Sequence, residues 1–214
     1  MNYRTALLLP HGPGVDRPVV YEGMRTPWGD AQDAEVMLPG IGFVSTAGHG
    51  GIKLDSTRNR MVPEYMRTKG GWYEEDCEWA IPFCVFEAEI AKDAREHLRK
   101  AITEGDHKRT LANWFPDAYQ RFYGVTLDRS QSLILDQKLF QQENVNNYVV
   151  VCAFGDWKEG VPKGMVGVAA TLGGRRDNDS KERWFLVPAE EYSGYRSHNG
   201  FVVNPSKHQE IQPL

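Results

Sequence analysis

Along this chain the spacing of the apolar residues changes twice, and those changes limit the folds it can adopt. Between residues 34 and 54, apolar positions alternate with polar or less apolar ones: Ala34, Val36 and Leu38, then Ile41–Thr46, then Ile52 and Leu54. A period of two marks strands with one buried face. From Pro82, a residue tolerated in a first helical turn, the period lengthens. Phe83, Phe86, Ile90, Ala94, Leu98 and Ile102 recur at three- and four-residue steps, which predicts a long amphipathic helix over Pro82–Glu104 ending near Gly105. Leu111, Trp114, Phe115, Tyr119, Phe122 and Tyr123 predict a second, bent helix over Leu111–Tyr123. Asp128 or Ser130 can cap a third helix running to about Glu143. The pattern then changes again. Tyr148–Phe154 is a continuous Val-rich run of the buried-strand type, followed by strands at Met165–Leu172 and Trp184–Val187.

Strands, then helices, then strands point to an α+β fold: a mainly antiparallel sheet, a long central amphipathic helix and two further helices. Pro39-Gly40 is a turn signal, and Gly48–Gly51 is expected to lie in a loop joining two strands. Ala6–Leu9 and Pro18–Tyr21 read as short strands separated by a turn at His11-Gly12-Pro13-Gly14. Ser56 is the expected N-cap of a short helix broken by Pro63, and Gly173–Ser180 reads as a polar hairpin loop. We expect one domain over residues 1–205, with a weak seam at 123–129. Residues 206–214 form a polar tail expected to be ragged.

The longest apolar runs are too short to cross a bilayer, and Ala6–Leu9 before Pro10 is too short for the apolar region of a signal peptide. Cys77, Cys84 and Cys152 are widely spaced with no CxxC pair, which argues against a disulfide framework and suits a reducing cytosol. The expected location is therefore cytoplasmic, away from membranes. A net charge of −4, with acids among the basic groups at 95–100, 108–109 and 175–176, disfavours nucleic acid as a partner. It is also too mild for a DNA mimic.

Chemistry concentrates in two neighbouring stretches, Ser45–Gly51 and Gly70–Trp79. His49 can act as base, acid or metal ligand near neutral pH. Gly48, Gly50 and Gly51 leave room for a ligand or another backbone to approach it. The plainer reading is a loop histidine in a glycine-rich turn. Glu74, Glu75 and Asp76 cannot all point one way: a helix would pair Glu74 with Glu78, a strand Glu74 with Asp76. Repulsion between such carboxylates can raise the pKa of one and suit it to acid–base work. Alternatively the run decorates a helix N-terminus, where acids meet the positive end of the dipole.

Cys77 is a nucleophile only if a base such as His49 reaches it, and otherwise packs with Cys84 as a small hydrophobe. The candidate catalytic set is therefore His49, Glu75, Asp76 and Cys77. Trp28, Trp72 and Tyr73, with Gly48, Gly50 and Gly51, form a candidate ligand-binding set, since aromatic rings can stack on a base or ring. Core packing is the alternative for these aromatics and for Trp79. A metal site would draw on His49, Glu74, Glu75, Asp76 and His11. Without an HxxxH or HxH pair, no metal ligand is assigned and the cofactor is left unknown. Gly173-Gly174-Arg175-Arg176 matches neither GxxxxGK[ST] nor GxGxxG and is read as a hairpin tip.

Several of these segments together resemble an uncharacterised domain family of bacteria, plasmids and phages. They are Thr26–Gly29, Pro39–Ile41, Ser45–Ile52, Val62-Pro63 and Trp72–Trp79, with Val161–Val168 and Trp184–Pro188 nearer the C-terminus. The resemblance runs from about residue 26 to 192 and brings no activity with it. What it implies is ecological: similar proteins travel on mobile elements, where accessory and counter-defence proteins are common. With no enzyme signature in the chain, the first expectation is an accessory protein of a phage or plasmid that binds a protein partner in the bacterial host, for example inhibiting a defence component. The alternative expectation is a small hydrolase with His49 as base and Glu75 or Asp76 either orienting it or holding a metal, with Cys77 a weaker nucleophile.

Overall fold

In the computed structural model, which describes residues 18–93, 95–195 and 199–214, the alternating segment folds as an antiparallel meander. The expected strand at Ala6–Leu9 and the turn at His11 lie outside the described residues. A small hairpin of β1 (Arg25–Thr26) and β2 (Gly29–Asp30) comes first. The meander follows in spatial order: β3 (Asp33–Leu38), β4 (Ile41–Ser45), β5 (Gly50–Leu54) and β6 (Trp72–Glu74). Pro39-Gly40 makes the β3–β4 turn, with Gly40 at φ +78, a conformation costly for any residue with a Cβ. Ile41 pairs with Leu54, Phe43 with Ile52 and Ser45 with Gly50. Ile41, Val44, Ile52 and Leu54 are buried.

Pro18–Tyr21 is not a strand. Val20 is buried, but by packing: a Cβ on Gly42 would lie 2.3 Å from its Cγ2. Its apolar character reflected a core contact and not a ladder. The helix after β5, α1 (Ser56–Met61), is capped by Asp55, whose carboxylate accepts from Arg58 N at 2.7 Å, and not by Ser56.

The long helix expected over Pro82–Glu104 is three short ones: α2 (Ala80–Val85), α3 (Glu87–Ile90) and α4 (Glu96–Thr103). Phe86 leaves helical geometry (φ −106, ψ 21). The second break centres on Asp93, whose carboxylate accepts from Arg95 N at 2.9 Å and from Arg95 Nε at 2.8 Å, the local bonding by which aspartate competes with a helix. The Arg95 guanidinium holds the Asp93 carboxyl well below the usual carboxylate range. It also bonds to Glu35 Oε1 at 2.6 Å, to the Val36 carbonyl at 3.0 Å and to the Met37 carbonyl, so this break is pinned to β3. Phe83, Phe86, Ile90 and Leu98 nonetheless enter one core with Ile52, Tyr73 and Leu111. The periodicity recorded a shared buried face, and continuity did not follow from it.

The bent helix is realised as α5 (Asp106–Trp114) and α6 (Pro116–Tyr123), parted where Pro116 starts a new helix. Asp128 does cap, but it caps a 3₁₀ turn at Arg129–Gln131 in which Gln131 Oε1 accepts from Asp128 N at 2.8 Å.

The chain packs as two compact units, the first ending at Ser132 and the second beginning at Leu133. The second unit opens with α7 (Leu133–Glu143), so the third expected helix starts at Leu133 and ends where the sequence placed it. Next come β7 (Tyr148–Phe154), β8 (Met165–Leu172), β9 (Arg183–Pro188), α8 (Ala189–Gly194), β10 (Val202–Val203) and β11 (Gln209–Ile211). The antiparallel sheet runs β10-β7-β8-β9-β11. Val168, Ala170, Phe185, Val187, Phe201 and Val203 form its buried cluster.

The tail is not ragged over its whole length. Gln209, Glu210 and Ile211 pair with Leu186, Phe185 and Trp184 of β9. A bidentate ion pair from Arg183 to Glu210 and the burial of His208 hold this strand in place. Its polar composition suits an edge strand, which has one wet side. Among the described residues, no helix is long and apolar enough to cross a membrane.

Candidate functional site

Pairing of Ser45 with Gly50 closes β4 onto β5 and leaves Thr46–His49 as the turn. The turn is locked by Thr46 N and Thr46 Oγ1, both donating to the His49 carbonyl at 2.7 Å, while His49 N donates to Thr46 Oγ1 at 3.2 Å. The His49 imidazole is 60% exposed. Gly51, two residues on and therefore on the same face, lies opposite Glu74 of β6. That register brings the two side chains together, with His49 Nδ1 3.8 Å from Glu74 Oε1.

Glu75 N donates to the Gly50 carbonyl at 3.1 Å, extending the β5–β6 pairing by one residue. Its carboxylate lies over Gly50, where a Cβ would be 2.4 Å from Glu75 Oε2. One ligand atom each from His49, Glu74 and Glu75 falls within 4.8 Å of the others. Within this group Glu74 Oε2 accepts from Asp76 N at 2.8 Å, whereas Glu74 Oε1 is buried and accepts no hydrogen bond.

The three glycines differ in role. A Cβ on Gly51 would meet the Trp28 ring and the Tyr73 carbonyl, each at 2.4 Å, whereas Gly48 has nothing within 4 Å. Trp28 packs edge-to-face on Trp72, centroids 5.7 Å apart, in a cluster with Val20, Ala31 and Val44. Lys53 Nζ lies 4.7 Å from the Trp72 ring centroid. Tyr73 is fully buried; its hydroxyl donates to Asn59 Oδ1 at 2.7 Å and accepts from Thr68 N at 3.4 Å.

Residues 21–145 match the model of DUF7007, a domain of unknown function. The chain belongs to the DUF7007 family. The match contains all three converging residues together with Trp28, Trp72 and Tyr73, and it stops before the sheet of the second unit. No curated protein and no solved structure matches the chain.

The other two members of the candidate catalytic set stand outside the converging group. Asp76 is exposed, and Cys77 is half-buried. Burial, reinforced by the negative charges of Glu78, Glu74 and Asp76, pushes the Cys77 thiol up, so it is protonated at neutral pH and a poor nucleophile. Glu74, which the candidate catalytic set left out in favour of Glu75 and Asp76, is the one nearest His49. The signal that would have selected it was the strand register, and that depends on knowing that residues 72–74 pair with β5.

The cysteines differ in a way that chemistry can read directly. Cys84 is buried, its thiol contacts the His107 carbonyl at 3.7 Å, and burial pushes its pKa up to about 11. Cys152 is exposed. Brief treatment of the native chain with iodoacetamide, read by peptide mass spectrometry, is expected to label Cys152 first and to leave Cys84 unlabelled until denaturant is added. Labelling of Cys84 in the native chain would contradict its place in the core.

Proposed function

We propose that the chain is a hydrolase whose nucleophile is a water activated by His49, Glu74 and Glu75. The observation that carries this reading is the convergence of one imidazole and two carboxylates at the accessible end of the β4–β5 hairpin. Such groups take up a proton from an attacking water and orient it, work that contributes on the order of 10²–10⁴-fold in rate. A covalent route through Cys77 is disfavoured because its thiol stays protonated. The substrate class that suits an activated water is an ester or phosphoester.

The test uses the purified chain with p-nitrophenyl esters and bis(p-nitrophenyl) phosphate, comparing wild type with His49→Ala and Glu75→Gln. Turnover is expected in the wild type and a loss of about 100-fold or more in each variant. Absence of turnover on every substrate, or equal rates in His49→Ala, would reject the proposal. A chain that acts only by holding a protein partner in a bacterial host would keep that function in both variants.

A further inference from the structure

We infer that His49, Glu74 and Glu75 form a binding site for one divalent cation of borderline character, Zn²⁺ or Mn²⁺. This deepens the water-activating reading, yet the site would exist even if no hydrolysis took place. Two observations support it. The first is distance. Ligand atoms held about 2.0–2.2 Å from one ion lie about 3–4 Å apart. His49 Nδ1 and Glu74 Oε1, at 3.8 Å, already stand at that separation. All three ligand atoms lie within 4.8 Å of one another, so side-chain movements of less than about 1 Å bring the set to that separation.

The second observation is an orphaned atom. Glu74 Oε1 is a buried carboxylate oxygen without a hydrogen-bond donor, and 3.8 Å is too long for the His49 imidazole to serve as one. Burying a charged acceptor without a partner costs more than leaving a neutral one unpaired. Its neighbour Oε2 has a donor in Asp76 N, so the uncompensated oxygen is the one directed toward His49. A cation between them removes the deficit.

The donor set selects the ion. One imidazole with two carboxylates is harder than the thiolate and multi-histidine sets of structural zinc, and softer than the all-oxygen shells of Ca²⁺ and Mg²⁺. Three protein ligands leave coordination positions open for water, as in catalytic and not structural sites. Glycine at position 50 is part of the construction, because any Cβ there would occupy the place of the Glu75 carboxylate.

To test this, the metal-stripped chain is titrated with Mn²⁺ while the paramagnetic resonance signal of free Mn²⁺ is followed, and Zn²⁺ is then added as competitor. One Mn²⁺ per chain, displaced by Zn²⁺, is expected. His49→Ala, Glu74→Gln and Glu75→Gln should each weaken binding at least about tenfold, the smaller loss seen for groups that merely support a ligand. Glu64→Gln, an exposed acid elsewhere in the chain, should bind as wild type does. Circular dichroism checks that each variant is folded; should Glu74→Gln unfold, the exposed His49→Ala decides the matter. No stoichiometric binding below millimolar Mn²⁺, or unchanged binding in folded His49→Ala, overturns the inference. A cation bound without any turnover would sink only the hydrolase, whereas turnover by a chain that binds no Mn²⁺ in the titration would sink only the cation.

Discussion

Replacing Tyr73 by Ala is expected to destabilise the first unit by about 3–5 kcal/mol, the range for truncating a large buried aromatic. The ring is fully buried among Ile52, Leu54, Val62 and Phe83, so its removal leaves a cavity that flanking strands and helices cannot easily fill. Its hydroxyl also ties Asn59 of α1 to the backbone at Thr68. Tyr73→Phe separates the two contributions. It keeps the ring, withdraws the donor to Asn59 Oδ1 and the acceptor for Thr68 N, and should cost about 1–2 kcal/mol. Urea unfolding combined with hydrogen exchange of the β5 and β6 amides measures both. A loss below about 1 kcal/mol for Tyr73→Ala would place this residue outside the core.

Gly51→Ala is the second large effect expected, at about 1–3 kcal/mol, from overpacking and not from a cavity. Of the two atoms at 2.4 Å from the added methyl, the Trp28 ring can swing aside at some cost to its packing on Trp72. The Tyr73 carbonyl cannot move without parting β5 from β6. Because Gly51 pairs with Glu74, the same displacement would carry Glu74 away from His49. Gly48→Ala is the control. Nothing lies within 4 Å of its missing Cβ and its φ is not positive, so a change within about 0.5 kcal/mol is expected. Equal effects of the two substitutions on the urea midpoint would refute the steric account.

Much of the architecture was legible because period and burial are local properties of the sequence. The antiparallel strands at 41–45, 148–154 and 165–172 follow from Val- and Ile-rich stretches bounded by glycine and proline, and the α+β class follows from their order. The helical breaks were harder to read. Asp93 and Arg95 look like ordinary helix-surface residues until Arg95 is seen to reach Glu35 and the β3 carbonyls, nearly sixty positions earlier in the chain. The edge strand at Gln209–Ile211 was hidden for a similar reason: its partner, and not its composition, makes it a strand.

At the candidate site the sequence marked the window in which His49 meets two acids, with His49, Gly50 and Gly51 on one side and the acids on the other. Choosing among Glu74, Glu75 and Asp76 required register, since a one-residue slip moves every side chain to the opposite face. The aromatics divided on burial. Tyr73 is enclosed in the core, whereas Trp28 and Trp72 are half-buried and packed on each other beside the glycines.

The pairing of β11 with β9 has a consequence for the order in which the second unit can be made. During synthesis β7, β8 and β9 emerge first, each next to its predecessor in the sheet. β9 then waits through some twenty further residues, its outer row of amides and carbonyls open to solvent and to other chains, until Gln209–Ile211 appear. Phe185, Leu186 and Val187 lie along that open rim. An open strand edge of this kind is a template for pairing with another chain, and the modest polar segment that covers it acts as the sheet's own selvedge.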